Sequence, residues 1–221
     1  MKNKIIISLI VIIIIITIFD VTPLKDNFIK TKYYAKDFDI EVIKSEIDYD
    51  SDGIFDYQDI LKGAKSEALR KPKYISEYYK DGYPPDDKGV CTDVIWRALK
   101  DAGYNLKDMI DKDIKENTNL YKRVYNNPDP NIDFRRVPNL KVFFDRKVLN
   151  LTKDIKEIKE FQPGDIVIFG NDHIAIISDI RNRKGIPYLI HNANQRNFEE
   201  NSFERWEKSR KITGHYRFLL N

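Results

Sequence analysis

The chain has 221 residues, and its 38 lysines and arginines against 35 aspartates and glutamates give a formal net charge of +3 at neutral pH. Hydrophobic residues make up 42% of it, a share typical of a globular domain and not of a disordered segment. So small a charge excess, without a block of basic residues, argues against nucleic acid as a partner.

The first segment differs from the rest of the chain. Lys2 and Lys4 precede a run without charged residues, Ile5 to Phe19, which Asp20 closes. Basic residues before an apolar run are typical of a signal peptide or a signal anchor, and no cleavage site with small residues follows this one. We therefore predict a transmembrane signal-anchor helix over residues 1–23 of a single-pass cell-membrane protein, with the remainder extracytoplasmic. Secretion after cleavage of the signal is the alternative.

The rest of the chain divides into a stalk and a domain. Residues 24–46 are charged and aromatic without clear periodicity, which predicts a stalk, and the domain is expected over 47–221. Apolar residues at helical spacing predict helices over 57–70, 92–102 and 107–124. Short apolar runs between turn signals predict an antiparallel meander over 166–169, 174–177 and 188–190, and a last strand over 214–219. Helices followed by strands indicate an α+β domain.

The chain contains one cysteine, Cys91, and three histidines, so a search for a thiol nucleophile and its base is short. Cys91 lies at the start of the second predicted helix, where unpaired N–H groups and the helix dipole favour a thiolate and lower the pKa of the thiol. His173 begins one predicted strand and His191 ends the next, so neighbouring strands can bring the two imidazoles together. The alternative is a buried structural cysteine with hydrogen-bonded core histidines.

Four segments resemble the NlpC-type papain-like hydrolases, which cleave amide bonds in bacterial cell-wall peptides. These segments are Gly89-Val-Cys91-Thr-Asp, Gly164-Asp-Ile-Val-Ile-Phe, His173-Ile-Ala-Ile-Ile-Ser-Asp and Ile190-His-Asn. The resemblance implies a papain-like fold, with N-terminal helices packed on a small antiparallel sheet or barrel. It also implies Cys91 as nucleophile, His173 as base and His191 as the residue that orients the base, with Asn192 competing for the third role. Those enzymes usually have Asp-Cys-Ser-Gly at the nucleophile, where this chain has Val-Cys-Thr-Asp.

Longer motifs resemble domain-of-unknown-function family 1287 over residues 55–219. They are Tyr83-Pro-Pro-Asp, Cys91-Thr-Asp-Val-Ile-Trp-Arg-Ala, Asn127-Pro-Asp-Pro-Asn-Ile-Asp-Phe-Arg-Arg-Val-Pro-Asn, Gln162-Pro-Gly-Asp and Gly214-His-Tyr-Arg. The resemblances imply a cysteine peptidase or amidase that acts on cell-wall peptides without a cofactor for catalysis. With the predicted signal anchor it would be membrane-anchored, and we expect a monomer. A non-catalytic surface-anchored binding module is the alternative. A zinc site made of the cysteine and two histidines ranks last, because its ligands are far apart in sequence.

Residues 48–59 fit the template of a calcium-binding loop. The template places oxygen ligands at positions 1, 3, 5, 9 and 12, a turn glycine at position 6 and a backbone carbonyl at position 7. The matching residues are Asp48, Asp50, Asp52, Gly53, Ile54, Asp56 and Asp59. We therefore predict a structural calcium ion here; an Asp-rich turn that caps the following helix is the alternative.

Arg135 and Arg136 follow a loop rich in Asn, Asp and Pro. Arginine binds carboxylates through two parallel hydrogen bonds, and cell-wall peptides carry several carboxylates. The two arginines are therefore candidate substrate-binding residues, although an ion pair with Asp129 or Asp133 is the more favoured expectation.

Overall fold

The computed structural model describes residues 32–122 and 127–220. The predicted signal anchor, residues 1–23, and the first part of the predicted stalk lie outside the described residues. In the part of the chain that is described, no helix is both long and apolar enough to cross a membrane.

The α-helices of the described residues are α1 (Asp56–Arg70), α2 (Cys91–Asp101), α3 (Leu106–Asn117), α4 (Val137–Lys147) and α5 (Phe203–Arg210). The first two confirm the predicted helices to within a residue. The third ends at Asn117 and is followed by a short 3₁₀ turn, Thr118–Leu120, so the predicted extension to residue 124 is too long. Neither α4 nor α5 was predicted. A proline in the first turn of α4 suits that helix, because the N–H that proline lacks would have no partner there.

Six strands of the described residues form one antiparallel sheet: β3 (Val148–Asn150), β4 (Ile166–Phe169), β5 (His173–Arg181), β6 (Pro187–Ile190), β7 (Glu199–Glu200) and β8 (Ile212–Leu220). Their order across the sheet is β3-β8-β4-β5-β6-β7. A separate parallel pair joins β1 (Lys73–Tyr74) to β2 (Lys88–Gly89). The predicted meander is confirmed as β4, β5 and β6, and the last strand pairs with β4 on its other side. The domain is therefore α+β, as predicted.

The two faces of the sheet pack against different partners. Successive side chains of a strand point to opposite faces. Ile174 and Ile176 of β5 belong to one hydrophobic cluster with Cys91 and the apolar face of α2. Ala175 and Ile177 belong to another, which includes Phe169 and Phe203. Strand β5 thus lies between the α2 side and the α5 side of the domain.

The described part of the predicted stalk belongs to the domain. Tyr33 donates its N–H to the Arg181 carbonyl at 3.0 Å and accepts the Arg181 N–H at 2.7 Å. Ala35 and Ile40 are buried. The stalk prediction, 24–46, therefore differs from the structure over residues 33–40, because this segment satisfies backbone groups at the end of β5 and covers apolar surface that would otherwise be exposed.

Candidate active site

Cys91 is the first residue of α2, as the sequence predicts. The helix begins here because the Asp93 carboxylate, in the first turn, accepts the Val90 backbone N–H at 2.7 Å. Asp93 also accepts the indole N–H of Trp96 at 2.8 Å. The start of the helix, and with it the thiol, is thus held by a fully buried carboxylate.

Cys91 packs in the same hydrophobic cluster as Ile174 and Ile176 of β5. The backbone N–H of Ile174 is one of the groups that act to lower the pKa of the Cys91 thiol. Ile177 donates its N–H to the Asp165 carbonyl, on the β4 side, so by alternation the Ile174 N–H faces the β6 side. Strand β6 ends at Ile190, which pairs with Ile176 of β5, so the Ile174 N–H lies beyond the last paired residue of β6.

The structure brings His173 and His191 together. His173 Nε2 lies 3.0 Å from His191 Nδ1, and both side chains are buried. The His173 ring stacks on Trp206 of α5 with ring centroids 3.8 Å apart. His173 immediately precedes Ile174, so this imidazole lies at the end of β5 where Ile174 shares a hydrophobic cluster with Cys91. The third histidine, His215, stacks on Phe161 elsewhere and takes no part in this cluster.

A carboxylate, Glu200, also belongs to this histidine cluster through its contact with His191, and the sequence did not predict it. Its Oε1 lies 3.2 Å from His191 Nε2 and 2.7 Å from Arg205 Nη2. The hydroxyl of Ser202 lies 3.4 Å from the same His191 nitrogen. Glu200 sits in the two-residue strand β7, which pairs with β6. A two-residue strand is too short to show the alternation of apolar and polar residues that predicts a strand. Only the pairing of β7 with β6 shows that Glu200 reaches His191.

Glu200 determines the direction of the hydrogen bonds in the cluster. Burial alone would raise the pKa of Glu200, but the hydrogen bonds from His191 and Ser202 hold that pKa below its ordinary value. The carboxylate is therefore ionised at neutral pH and accepts the Nε2–H of His191. A neutral His191 then has a bare Nδ1, which accepts the Nε2–H of His173. His173 is left with an unprotonated Nδ1, which is the form that a base requires.

Burial opposes the formation of a thiolate–imidazolium pair. It raises the pKa of Cys91 to about 11, although the N–H groups of Ile174, Thr92 and Cys91 itself act in the opposite direction. Burial, with smaller contributions from the charges of His191 and Arg210, lowers the pKa of His173 to about 2. The lowering of the thiol pKa that the helix N-terminus predicts is therefore present but outweighed by burial. The thiol of Cys91 and the imidazole of His173 are both neutral at neutral pH.

The competing candidate for the third role, Asn192, is engaged elsewhere. Its side-chain amide donates to the Pro72 carbonyl at 3.1 Å and to the Gly89 carbonyl at 3.0 Å. Asn192 therefore ties the β6 end to the segments that precede α2, while His191 is the residue that contacts His173.

Both candidate substrate-binding arginines form ion pairs within the domain. Arg135 is 7% exposed, and its Nε and Nη2 donate to the two oxygens of Asp93 at 2.7 and 2.9 Å. Its guanidinium is therefore occupied by the carboxylate that holds the start of α2, instead of facing a substrate. Arg136 pairs with Asp133 at 3.5 Å, as the favoured expectation had it. The sequence did not indicate Asp93 as the partner of Arg135, because 42 residues separate them.

The acidic loop lies away from the histidine cluster, beside the C-terminal end of α2. Asp48, Asp50 and Asp52 place carboxylate oxygens within 4.8 Å of one another. Asp56, a predicted ligand, is instead turned into the domain, where it accepts the Tyr49 N–H at 2.9 Å and the Tyr104 hydroxyl at 2.5 Å. Asp56 thus holds the acidic loop against the domain through these two hydrogen bonds.

A cavity of about 570 Å³ lies along another flank of α2. Its lining includes Tyr83, Trp96, Lys100 and Tyr104, and none of the cysteine and histidine residues described above. The preformed cavity and the candidate active site are therefore separate features of the domain.

Comparison with known proteins places the chain in a family. The model of the family described as "Domain of unknown function (DUF1287)" matches residues 61–218, which include the cysteine, both clustered histidines and the glutamate. The uncharacterized protein YijF of Escherichia coli (strain K12) is 35% identical over 161 residues, covering 70% of this chain and 76% of that protein. No solved structure matches. The chain therefore belongs to the DUF1287 family, as its motifs predicted.

Proposed function

We propose that this protein is a cysteine hydrolase, a peptidase or amidase, that cleaves amide bonds of cell-wall peptides outside the cytoplasm. The observation that carries the proposal is the hydrogen-bonded series from Glu200 through His191 to His173, at 3.2 and 3.0 Å, in a domain where Cys91 begins a helix that packs on the histidine-bearing strand β5. The papain-like fold, the cell-wall substrate and the membrane anchor rest on the sequence resemblance and on the N-terminal segment.

In this mechanism the thiol is deprotonated only as it attacks. His173 Nδ1 takes the proton of Cys91 while the sulfur forms a bond to the substrate carbonyl carbon, and the carbonyl π electrons move onto the oxygen. The N–H groups of Cys91 and Thr92, which lie beside the sulfur, are the donors placed to stabilise that oxyanion. The imidazolium then gives its proton to the leaving amine as the C–N bond breaks, which leaves a thioester.

The second half of the reaction uses the same residues. His173 removes a proton from water, the hydroxide oxygen bonds to the thioester carbon, and the C–S bond breaks to release a carboxylic acid. The proton returns to the Cys91 sulfur. Throughout, His191 and Glu200 keep the second imidazole nitrogen of His173 hydrogen-bonded, which fixes the orientation of the base.

The test is the turnover of purified cell-wall peptides by the full-length chain, followed by mass spectrometry. We expect wild-type protein to release a new amine and a new carboxylate from one amide bond. Cys91→Ala and His173→Gln should abolish release. The control variant Glu204→Gln, which changes one side chain of an exposed ion pair, should not. Absence of turnover by wild-type protein on every wall peptide would overturn the proposal.

The burial of the thiol favours a second candidate, a non-catalytic binding module at the cell surface. Cys91 is only 7% exposed, and its raised pKa is that of a core thiol. In that case Cys91→Ala should leave binding of the protein to purified cell walls unchanged, with no covalent change in the wall material. Loss of wall hydrolysis in the same variant would instead support the hydrolase.

A further inference from the structure

We propose that the segment Asp48–Asp59 is a calcium site whose ligands are Asp48, Asp50, Asp52, the Ile54 carbonyl and Asp59. Three carboxylates already converge, with oxygens within 4.8 Å of one another. Among the residues that the structure describes, no lysine or arginine lies within ion-pair distance of these three. Hard oxygen ligands gathered without a counter-charge favour a hard cation.

The independent observation is a buried carboxylate oxygen that has no partner. Asp59, in the first turn of α1, is 1% exposed, and its Oδ2 accepts no hydrogen bond. Its other oxygen accepts from Lys62 at 3.3 Å. Asp59 occupies position 12 of the loop template, where a carboxylate completes the coordination of the calcium ion. Leaving such an oxygen buried and unpaired is costly, and a cation bound to it would remove the cost.

The surrounding fold fixes the loop in place. A Cβ added at Gly103 would come within 2.7 Å of the Asp50 Cβ, so the loop packs directly on the segment that follows α2. The ring of Tyr49 stacks on Tyr104 with centroids 4.2 Å apart. Asp56 accepts the hydroxyl of the same tyrosine at 2.5 Å. Binding of a cation here therefore joins the beginning of α1 to the end of α2.

Calcium is favoured over magnesium by the kind of site. Calcium accepts six to eight oxygens in flexible arrangements, whereas magnesium requires a near-ideal octahedron and gives up its water reluctantly. Four carboxylates and a backbone carbonyl on one turning segment supply a flexible set of the first kind. Outside the cytoplasm a site with a dissociation constant of ~10⁻⁴–10⁻³ M would be filled.

The test is calorimetric titration of the full-length, chelator-treated chain with CaCl₂, together with its thermal unfolding. We expect one calcium ion per chain and a rise in the midpoint of about 3–5 °C at about 10 mM calcium. Asp50→Asn, on the exposed side of the loop, and Asp59→Asn should each abolish both effects. Asp87→Asn removes the same charge from an exposed position away from the loop and should retain them.

Two outcomes would overturn the site. One is a wild-type chain that takes up no calcium at about 10 mM, roughly ten times the weakest dissociation constant of extracellular modules. The other is a calcium response that survives unchanged in both Asp50→Asn and Asp59→Asn. If Asp59→Asn fails to fold, Asp50→Asn alone decides, since its side chain is exposed and its replacement keeps the same shape. An equal response to MgCl₂ would refute the choice of cation.

Discussion

The pH dependence of Cys91 alkylation distinguishes a neutral thiol from a preformed ion pair. Burial moves the pKa of the thiol from 9.0 to about 11. A shift of two units corresponds to about 3 kcal/mol in favour of the neutral thiol. At pH 7 the thiolate fraction is then on the order of 10⁻⁴, against ~10⁻² for an unperturbed thiol, so alkylation should be about 100-fold slower.

The assay is iodoacetamide modification of the full-length chain at pH 6–10, measured by mass spectrometry. Because the chain has one cysteine, every added carbamidomethyl group on sulfur reports on Cys91. We expect the rate to rise about tenfold for each pH unit up to pH 10 without a plateau. Limited access lowers the rate at every pH alike, so the slope isolates the ionisation of the thiol.

His173→Gln supplies the matched comparison. If the resting pair is neutral, removing the imidazole changes the absolute rate but leaves the slope unchanged. A plateau reached below pH 8 in the wild type, and lost in His173→Gln, would refute the reasoning, since it would mean that the imidazolium stabilises the thiolate more than burial destabilises it.

The other expectations concern the residues around this pair. Glu200→Gln lets an amide donate to His191 and reverse the hydrogen bonds, so ¹⁵N spectra should show the proton of His173 moving to Nδ1 and hydrolysis should fall at least ~10-fold. The control Glu204→Gln, in an exposed ion pair, should change neither the spectra nor the rate of hydrolysis. An unaltered His173 signal in Glu200→Gln would contradict the assigned tautomers. Arg135→Met leaves Asp93 buried without its partner and should lower the free energy of unfolding by about 3–5 kcal/mol in urea titrations, whereas a loss below 1 kcal/mol would show that the pair contributes little. The folded-state pKa of His173 is depressed from 6.5 to about 2, so the stability that its neutral form contributes is complete above pH 6.5. The free energy of unfolding should fall by up to about 1.4 kcal/mol per pH unit as the pH falls toward 2. His173→Gln should flatten this dependence, and an equal slope in both proteins would assign the loss to other groups.

Periodicity predicted the parts of the fold that are regular and long enough to show a pattern. The apolar positions of α2, Val94, Ile95, Ala98 and Leu99, are fully buried, and Gly103, with φ +80°, ends the helical region as expected. Strands β4, β5 and β6 have near-continuous apolar runs between turns. The amphipathic helix α4 and the two-residue strand β7 were missed, because the first follows a proline-rich loop and the second is too short to alternate.

The sequence by itself determined the family, the α+β class and the meeting of His173 with His191, and it proposed Cys91 as the thiol that they serve. It could do so because a lone cysteine at a helix start and histidines at strand ends are local features. Only the tertiary structure decided which carboxylates these residues meet: Glu200 reaches His191 through the pairing of β7 with β6, and Arg135 is held by Asp93 across 42 residues of chain. Burial was likewise beyond the sequence, and it reverses the expected ionisation of Cys91, because the desolvation of a charge depends on every element packed around it.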